Sequence, residues 1–275
     1  MSNRTLKMIA VLTMLYDHLS RIFSPDDLFL AIQDVLTRTF PGQSEVWSVL
    51  YIILSFGSSL IGRLAAPIFM YCIVLGFIHT RNVQRYMARL LGFALISQLP
   101  YVLLFGIAEP RIYSLEPDPW GQPLNILFTL CLGLFTLWTY EYLCRFHTVW
   151  GQLAVAGLVA VGWLLPIEGG KGAVLIIFLL YWLRRLPKLH QAALWIIMLP
   201  LARWGLTSWL IEDFNDLSVR LTVIINLVGI YLGILLSLTY NGTKGEIPRW
   251  LQYGFYWFYP IHLLVIGTIG WFISI

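Results

Sequence analysis

Charge is the scarcest property of this chain. Asp, Glu, Lys and Arg make up 12% of its 275 residues, where a soluble domain carries about 25%. A water-facing globular surface cannot be built from so few. The net charge of +4 is distributed loop by loop, which argues against nucleic acid as a partner. Cysteine is also rare. Cys72, Cys131 and Cys144 have no zinc-ligand spacing and sit in or beside apolar stretches, so they read as packing residues and no metal is expected. Phosphate-cradling and hydrolytic motifs are missing as well. "SFGSSLIG" at 55–62 lacks the lysine of a P-loop, and no dinucleotide fingerprint, HExxH or serine-hydrolase elbow is present. No low-complexity tract or internal repeat is evident.

Apolar sequence fills the gap. Hydrophobic residues are 59% of the chain and the mean hydropathy is +0.76. Runs of roughly 20 apolar residues are what a spanning helix needs, and runs of that length exclude a membrane barrel. The fold class is therefore all-α, a polytopic transmembrane bundle of about nine to ten spans, forming one integral membrane domain over 1–275. The first segment has basic Arg4 and Lys7 before an apolar core, like a secretion signal. It lacks a small-residue cleavage site and carries Asp17 and His18 in its core, so an uncleaved first span is expected.

Spans are expected near 6–23, 64–80, 85–106, 124–143, 149–166, 171–185, 190–210, 219–239 and 250–273. The stretch 45–61, "EVWSVLYIILSFGSSLI", reads as re-entrant or interfacial, because a full span there would put "TRNVQR" and "RRLPK" outside. With the N-terminus cytoplasmic, Arg4, Lys7, Arg81, Arg85, Arg145, Arg184, Arg185, Lys188, Lys244 and Arg249 gather on the inner side. Asp26, Asp27, Asp34, Glu45, Glu109, Glu116, Asp118, Glu168, Glu212, Asp213 and Asp216 gather outside. That is the positive-inside arrangement of a multi-pass protein whose N-terminus is cytoplasmic.

Ionisable residues inside spans are functional candidates, since each costs about 2.5–3.5 kcal/mol to insert. Thr13, Asp17 and Arg21 share one face of the first helix, and Asp17 and Arg21 are spaced to pair. His18 is turned about 100° from Asp17 and is a candidate general base; the bland alternative is an ion pair with a packing histidine. His262, in "WFYPIHLLV" after Pro260, is a second intramembrane histidine with the same two readings. Arg81, Arg85 and Arg89 in "TRNVQRYMAR" are spaced i, i+4, i+8 and suit a phosphate-bearing ligand, although inner-side anchoring explains the first two. Small and polar stripes, Asn125, Thr129, Gly133 and Tyr140, then Thr222, Asn226, Gly229, Gly233 and Ser237, read as helix packing first and cavity lining second. Ser97, Gln98 and Glu168 are weaker candidates, with Glu168 read as an outer-loop acid.

Several segments together resemble one family. "LKMIAVLTMLYDHL", "IGRLAAPIFMYCIVLGFIHTRNVQRYMARLLGFALISQLPY", "NILFTLCLGL", "EGGKGAVLIIFLLYWL" and "YPIHLLV" follow one another along the chain, and the combination resembles the TraX family of integral membrane proteins. An insertion at about 25–60 interrupts the match. That family takes its name from the protein that acetylates the N-terminus of F-type pilin, and it is similar to a broader set of membrane acyltransferases that includes heparan-glucosaminide N-acetyltransferase. The resemblance implies acetyl-CoA as donor. It places Asp17 and His18 on the family's Asp-His pair, Arg63 on its Gly-Arg and Pro67 on its Pro-Ile/Leu-Phe. Thr80, Arg81, Tyr86 and Arg89 fall on the family's segment after the second span, and His262 on its Tyr-Pro-x-His. Ala65-Ala66 and Glu168-Gly169-Gly170 depart from the pattern.

The expectation is an acetyl-CoA-dependent acyltransferase acting on an amine, such as a peptide or pilin N-terminus, or on a hydroxyl or glycan. His18, oriented by Asp17, is the candidate base, with His262 as a second base or acyl carrier and Arg63 or Arg21 on the oxyanion. Arg81, Arg85, Arg89 and Tyr86 are the expected donor-binding set. This scheme needs a passage joining the inner arginines to the outer-half histidine. The rival is a transporter or scaffold using Asp17, His18 and Arg21 as a proton relay or structural pair. Oligomeric state is not readable from the chain.

Overall fold

The computed structural model describes residues 1–24, 29, 32, 35–40, 42–108, 123–169, 172–204, 217–243, 245 and 248–274. Asp26, Asp27, Asp34, Glu109, Glu116, Asp118, Glu212, Asp213, Asp216 and Lys244, all used above to assign sides, lie outside these residues. The helices, in chain order, are α1 (Asn3–Ile22), α2 (Ser44–Arg63), α3 (Ala65–His79), α4 (Val83–Ala108) and α5 (Ile126–Leu143). They continue with α6 (Thr148–Leu164), α7 (Ala173–Leu183), α8 (Lys188–Trp204), α9 (Leu217–Leu238) and α10 (Arg249–Ser274). Among the described residues the extended structure is a single isolated bridge, Leu124 to Ile167. The architecture is the all-α membrane bundle that composition calls for.

Four stretches are long and apolar enough to cross a bilayer: Glu45–His79, Val83–Gly106, Ile126–Leu143 and Tyr253–Ile273. The first contains 45–61. That segment is the front half of a 35-residue helical run, about 52 Å long at 1.5 Å per residue. The run is interrupted at Leu64, whose N–H reaches back only to Ile61 O at 3.2 Å. Pro67 explains the break, because it has no N–H for the Arg63 carbonyl and its ring collides with that carbonyl in an unbroken helix. Restarting the helix at Ala65 puts Pro67 in the first turn, where a missing N–H costs nothing.

Lipid gives helices no hydrophobic reason to associate, so close backbone approach must do it. Helix α9 supplies it with Gly229 and Gly233. A Cβ on Gly229 would lie 2.7 Å from Arg63 Cβ, and one on Gly233 would lie 2.8 Å from Leu64 O. The broken turn between α2 and α3 is thus pressed against α9. Gly133 of α5 receives the side chain of Ile177 in the same manner. These stripes are packing surfaces, as expected, and Asn226 adds the cavity-lining role.

Helix α1 carries Arg4, Lys7, Asp17 and Arg21 in its 20 residues. It packs against α2, α3 and α10, and Met8 and Leu12 are exposed on its outer face. It starts cleanly because the Ser2 hydroxyl accepts the Thr5 N–H. Its buried face is Leu6, Ala10, Met14 and His18. Three apolar clusters hold the bundle, and Phe69 of α3 packs against all three. One aromatic ring therefore stands at the junction of the whole core.

Candidate functional site

His18 and His262 meet. They come from opposite ends of the chain and are 3% and 5% exposed. His18 Nδ1 lies 2.7 Å from His262 Nε2, with the rings stacked at 4.9 Å and 21°. His262 Nδ1 lies 2.7 Å from the Phe258 carbonyl oxygen. A carbonyl only accepts, so His262 Nδ1 carries a proton and donates it. In the neutral ring its Nε2 must then accept, which makes His18 Nδ1 the donor. His18 Nε2 is left with its lone pair. Phe258 stacks on the His262 ring at 4.6 Å and Phe105 meets His18 edge-on at 5.8 Å, so both rings are held.

This geometry revises the role expected for Asp17. Its carboxylate bonds Arg21, with Nε and a terminal nitrogen each 3.5 Å from Oδ2, and Arg21 lies 4.7 Å over the Phe105 ring. His18 is oriented by His262, not by Asp17. The reason is the helical turn between neighbours: Asp17 faces α2 while His18 faces α10. Gly62 permits the first contact, since the Asp17 carboxylate occupies the space where a Cβ would stand.

A cavity of about 350 Å³ opens on these groups, lined among others by Asp17, His18, Arg21, Arg63, Glu168 and Asn226. Arg63, at the end of α2, is exposed and has no hydrogen-bonding or ionic partner among the described residues. Glu168 is a correction. It is not a solvated outer acid but a cavity wall. Its N–H donates to Leu124 O at 2.7 Å, and its carbonyl accepts from Thr129 Oγ1 at 2.5 Å. Its Oε2 accepts from the Ile126 N–H at 2.8 Å, at the first turn of α5, with the Tyr259 hydroxyl at 3.5 Å. Glu168 belongs to the connection between α6 and α7, outside the helices. Burial pushes its carboxyl up to about 7, and the Ile126 N–H and Arg21 oppose that rise. The strand-like pairing of 124 with 166–168 is held from α4 by Gln98, which bonds Pro123 O and the Asn125 amide.

A second cavity, about 530 Å³, adjoins the first toward the basic end of the bundle. Asn3, Lys7, His79, Thr80, Tyr86, Arg89 and Tyr256 are in its wall. Phe69 and Tyr259 line both cavities. Of the expected donor-binding set, Tyr86 and Arg89 are here, while Arg81 and Arg85 are exposed and line neither cavity. The i, i+4, i+8 spacing does not put all three arginines on one helix, because α4 starts only at Val83. Asn82 caps it by accepting the Arg85 N–H at 2.8 Å, so Arg81 is outside the helix and off its faces. Lys7 was the residue missed. Its signal was available, since eleven residues make about three turns and return Lys7 to the face of His18.

The profile of the TraX protein family matches residues 2–270. The chain belongs to the TraX family. A relative from Dichelobacter nodosus, described as "Probable fimbrial assembly protein FimC, serogroup H1", is 29% identical over 271 residues, covering 98% of this chain and 96% of its own. No solved structure matches. In this TraX-family chain the match includes every residue that lines the two cavities, from Asn3 to Tyr259, and His262 beyond them.

Proposed function

We propose that this TraX-family protein is a membrane-embedded acyltransferase that moves acetyl from acetyl-CoA to an amine or hydroxyl acceptor. The observation that carries this reading is a histidine pair with one unengaged nitrogen, in a cavity sharing a wall with a cation-lined cavity. The distance fits. Lys7 and His18 are eleven residues apart on one helix face, about 16 Å along the axis. The arm of CoA from phosphorus to sulfur is about 13 bonds, roughly 16 Å when extended at the pitch of a polypeptide backbone. Phosphates held by Lys7 and Arg89 therefore allow a thioester to reach His18 past Phe69 and Tyr259. In this reading the passage that the scheme requires runs between Phe69 and Tyr259, which line both cavities.

In the transfer, His18 Nε2 takes a proton from the acceptor as its nitrogen or oxygen attacks the thioester carbonyl. The imidazolium that forms keeps its Nδ1–H on His262 Nε2, and His262 keeps its own proton on Phe258 O. Because both nitrogens of His262 are engaged, His262 is a positioning residue and not an acyl carrier. Arg63 is placed for the oxyanion, since Arg21 is committed to Asp17 and Phe105. Proton transfer then gives CoA thiol. In this reading the basic cavity faces the cytoplasm, where acyl-CoA is found, and the N-terminus lies on that side of the inner membrane. The relative's fimbrial name points toward a pilus peptide as acceptor.

The test is CoA release and acceptor acetylation by purified protein in lipid nanodiscs. Wild type is expected to transfer; His18→Ala is expected to lose turnover, and Arg89→Ala to keep turnover with weakened donor affinity. CoA release equal in wild type and His18→Ala, or proton-coupled uptake of a solute without CoA consumption, would reject the reading in favour of a relay.

A further inference from the structure

The acceptor cavity holds one group that the acyl-transfer scheme leaves unused. Glu168 stands on the same cavity as His18, and its position is built from four bonds: backbone N–H to Leu124, backbone carbonyl from Thr129, and Oε2 from Ile126 and Tyr259. All of the side-chain bonds go to Oε2. Oε1 has no partner among the described residues. The charged and titratable groups around it are Asp17 and Arg21 on α1, His18 beside them, Arg63 on α2 and Tyr259 on α10. Asp17 and Arg21 neutralise each other. What remains to meet an incoming group is one carboxylate, one guanidinium and the lone pair of His18.

Proton counting gives that carboxylate a task. A hydroxyl acceptor loses one proton on acylation, and His18 can take it. A primary amine enters from water as an ammonium with three N–H protons and leaves as an amide with one. Two proton acceptors are needed, and the first must act before the nitrogen has a lone pair to attack with. We propose that Glu168 binds the ammonium group of an amine acceptor and takes its first proton, leaving the second to His18. The inference rests on the acyl-transfer reading. The balance is complete: R–NH3⁺ and Glu168 carboxylate give R–NH2 and the carboxylic acid. The amine nitrogen then forms the N–C bond as the C–S bond breaks. His18 Nε2 receives the second proton and passes it to the departing thiolate. Glu168 returns its proton to water through the cavity.

Glu168→Gln separates this task from a purely structural one, because the amide oxygen still accepts the Ile126 N–H while the basic group is lost. The probes are a model peptide with a free α-amino group and its analogue with an α-hydroxyl in place of that amine. Transfer is followed from pH 6 to 9. For the amine peptide, the variant is expected to lose about 10²-fold at pH 6.5, the scale of a missing general base. It should recover most of that as pH passes about 8, where the α-amine deprotonates by itself in water. With the hydroxyl analogue the variant is expected to match wild type at every pH. A loss that is equal for both probes, or that high pH does not restore, overturns the Glu168 assignment while transfer by wild type still stands. Wild type that transfers to neither probe overturns the acyl-transfer reading itself, and this inference with it.

Discussion

The two cavities that meet at Phe69 and Tyr259 are built from different chemistry. The larger is lined by Lys7, His79 and Arg89, with no carboxylate among the described residues of its wall. The smaller mixes Asp17 and Glu168 with Arg21, Arg63 and His18. An unbalanced cationic lining attracts an anion and leaves it unchanged, which is a binding device. A lining in which acids and bases are held at fixed distances can move protons, which is a reacting device. Helix α1 runs along both, so a single helix face sets the spacing between Lys7 in one lining and His18 in the other.

The largest expected effect breaks the reacting side. His18→Ala is expected to lower turnover about 10³-fold with little change in donor affinity, and His262→Ala should lower it too, with an altered pH profile because the His18 tautomer is no longer held. A His262→Ala enzyme with wild-type turnover and pH profile would separate the pair. Next comes the shared wall. Phe69→Trp is expected to cost about 10²-fold in transfer while calorimetry still finds CoA bound; loss of binding instead would place the donor elsewhere. On the binding side, Lys7→Ala and Arg89→Ala are each expected to raise the KM for acetyl-CoA about tenfold, or about 1.4 kcal/mol, near the low end for a charge-assisted bond. Arg81→Ala and Arg85→Ala serve as the matched comparison and should leave that KM within about twofold. A smaller and purely structural effect is expected at Gly62. Gly62→Ala pushes on Asp17 and should cost about 1–3 kcal/mol of stability, visible as a lower thermal midpoint in detergent.

Much of the bundle was legible in the order of residues. The helical class follows from the apolar runs, and Gly229 and Gly233 announced their packing by spacing alone. Other features depended on where a helix begins. Arg81 is in register with Arg85 and Arg89 only if the helix has already begun, and Asn82 shows that it has not. The stretch 45–61 reads as an element of its own in the sequence, and the structure joins it to α3 in a 35-residue run. Glu168 looked like an outer acid because its connection gives no sign, in sequence, of folding inward onto the first turn of α5.

By itself, then, the sequence decided that this is a helical membrane protein, that Lys7 and His18 share a face about 16 Å apart, and that Asp17 and Arg21 can pair. Those are consequences of hydropathy and helical pitch, which act within one segment. Only the tertiary structure decided that His18 is held by His262, 244 positions away, that Glu168 turns into the same cavity, and that Phe69 and Tyr259 divide it from the cationic one. Such meetings depend on how helices cross, and crossings are set by which small residues let two backbones touch.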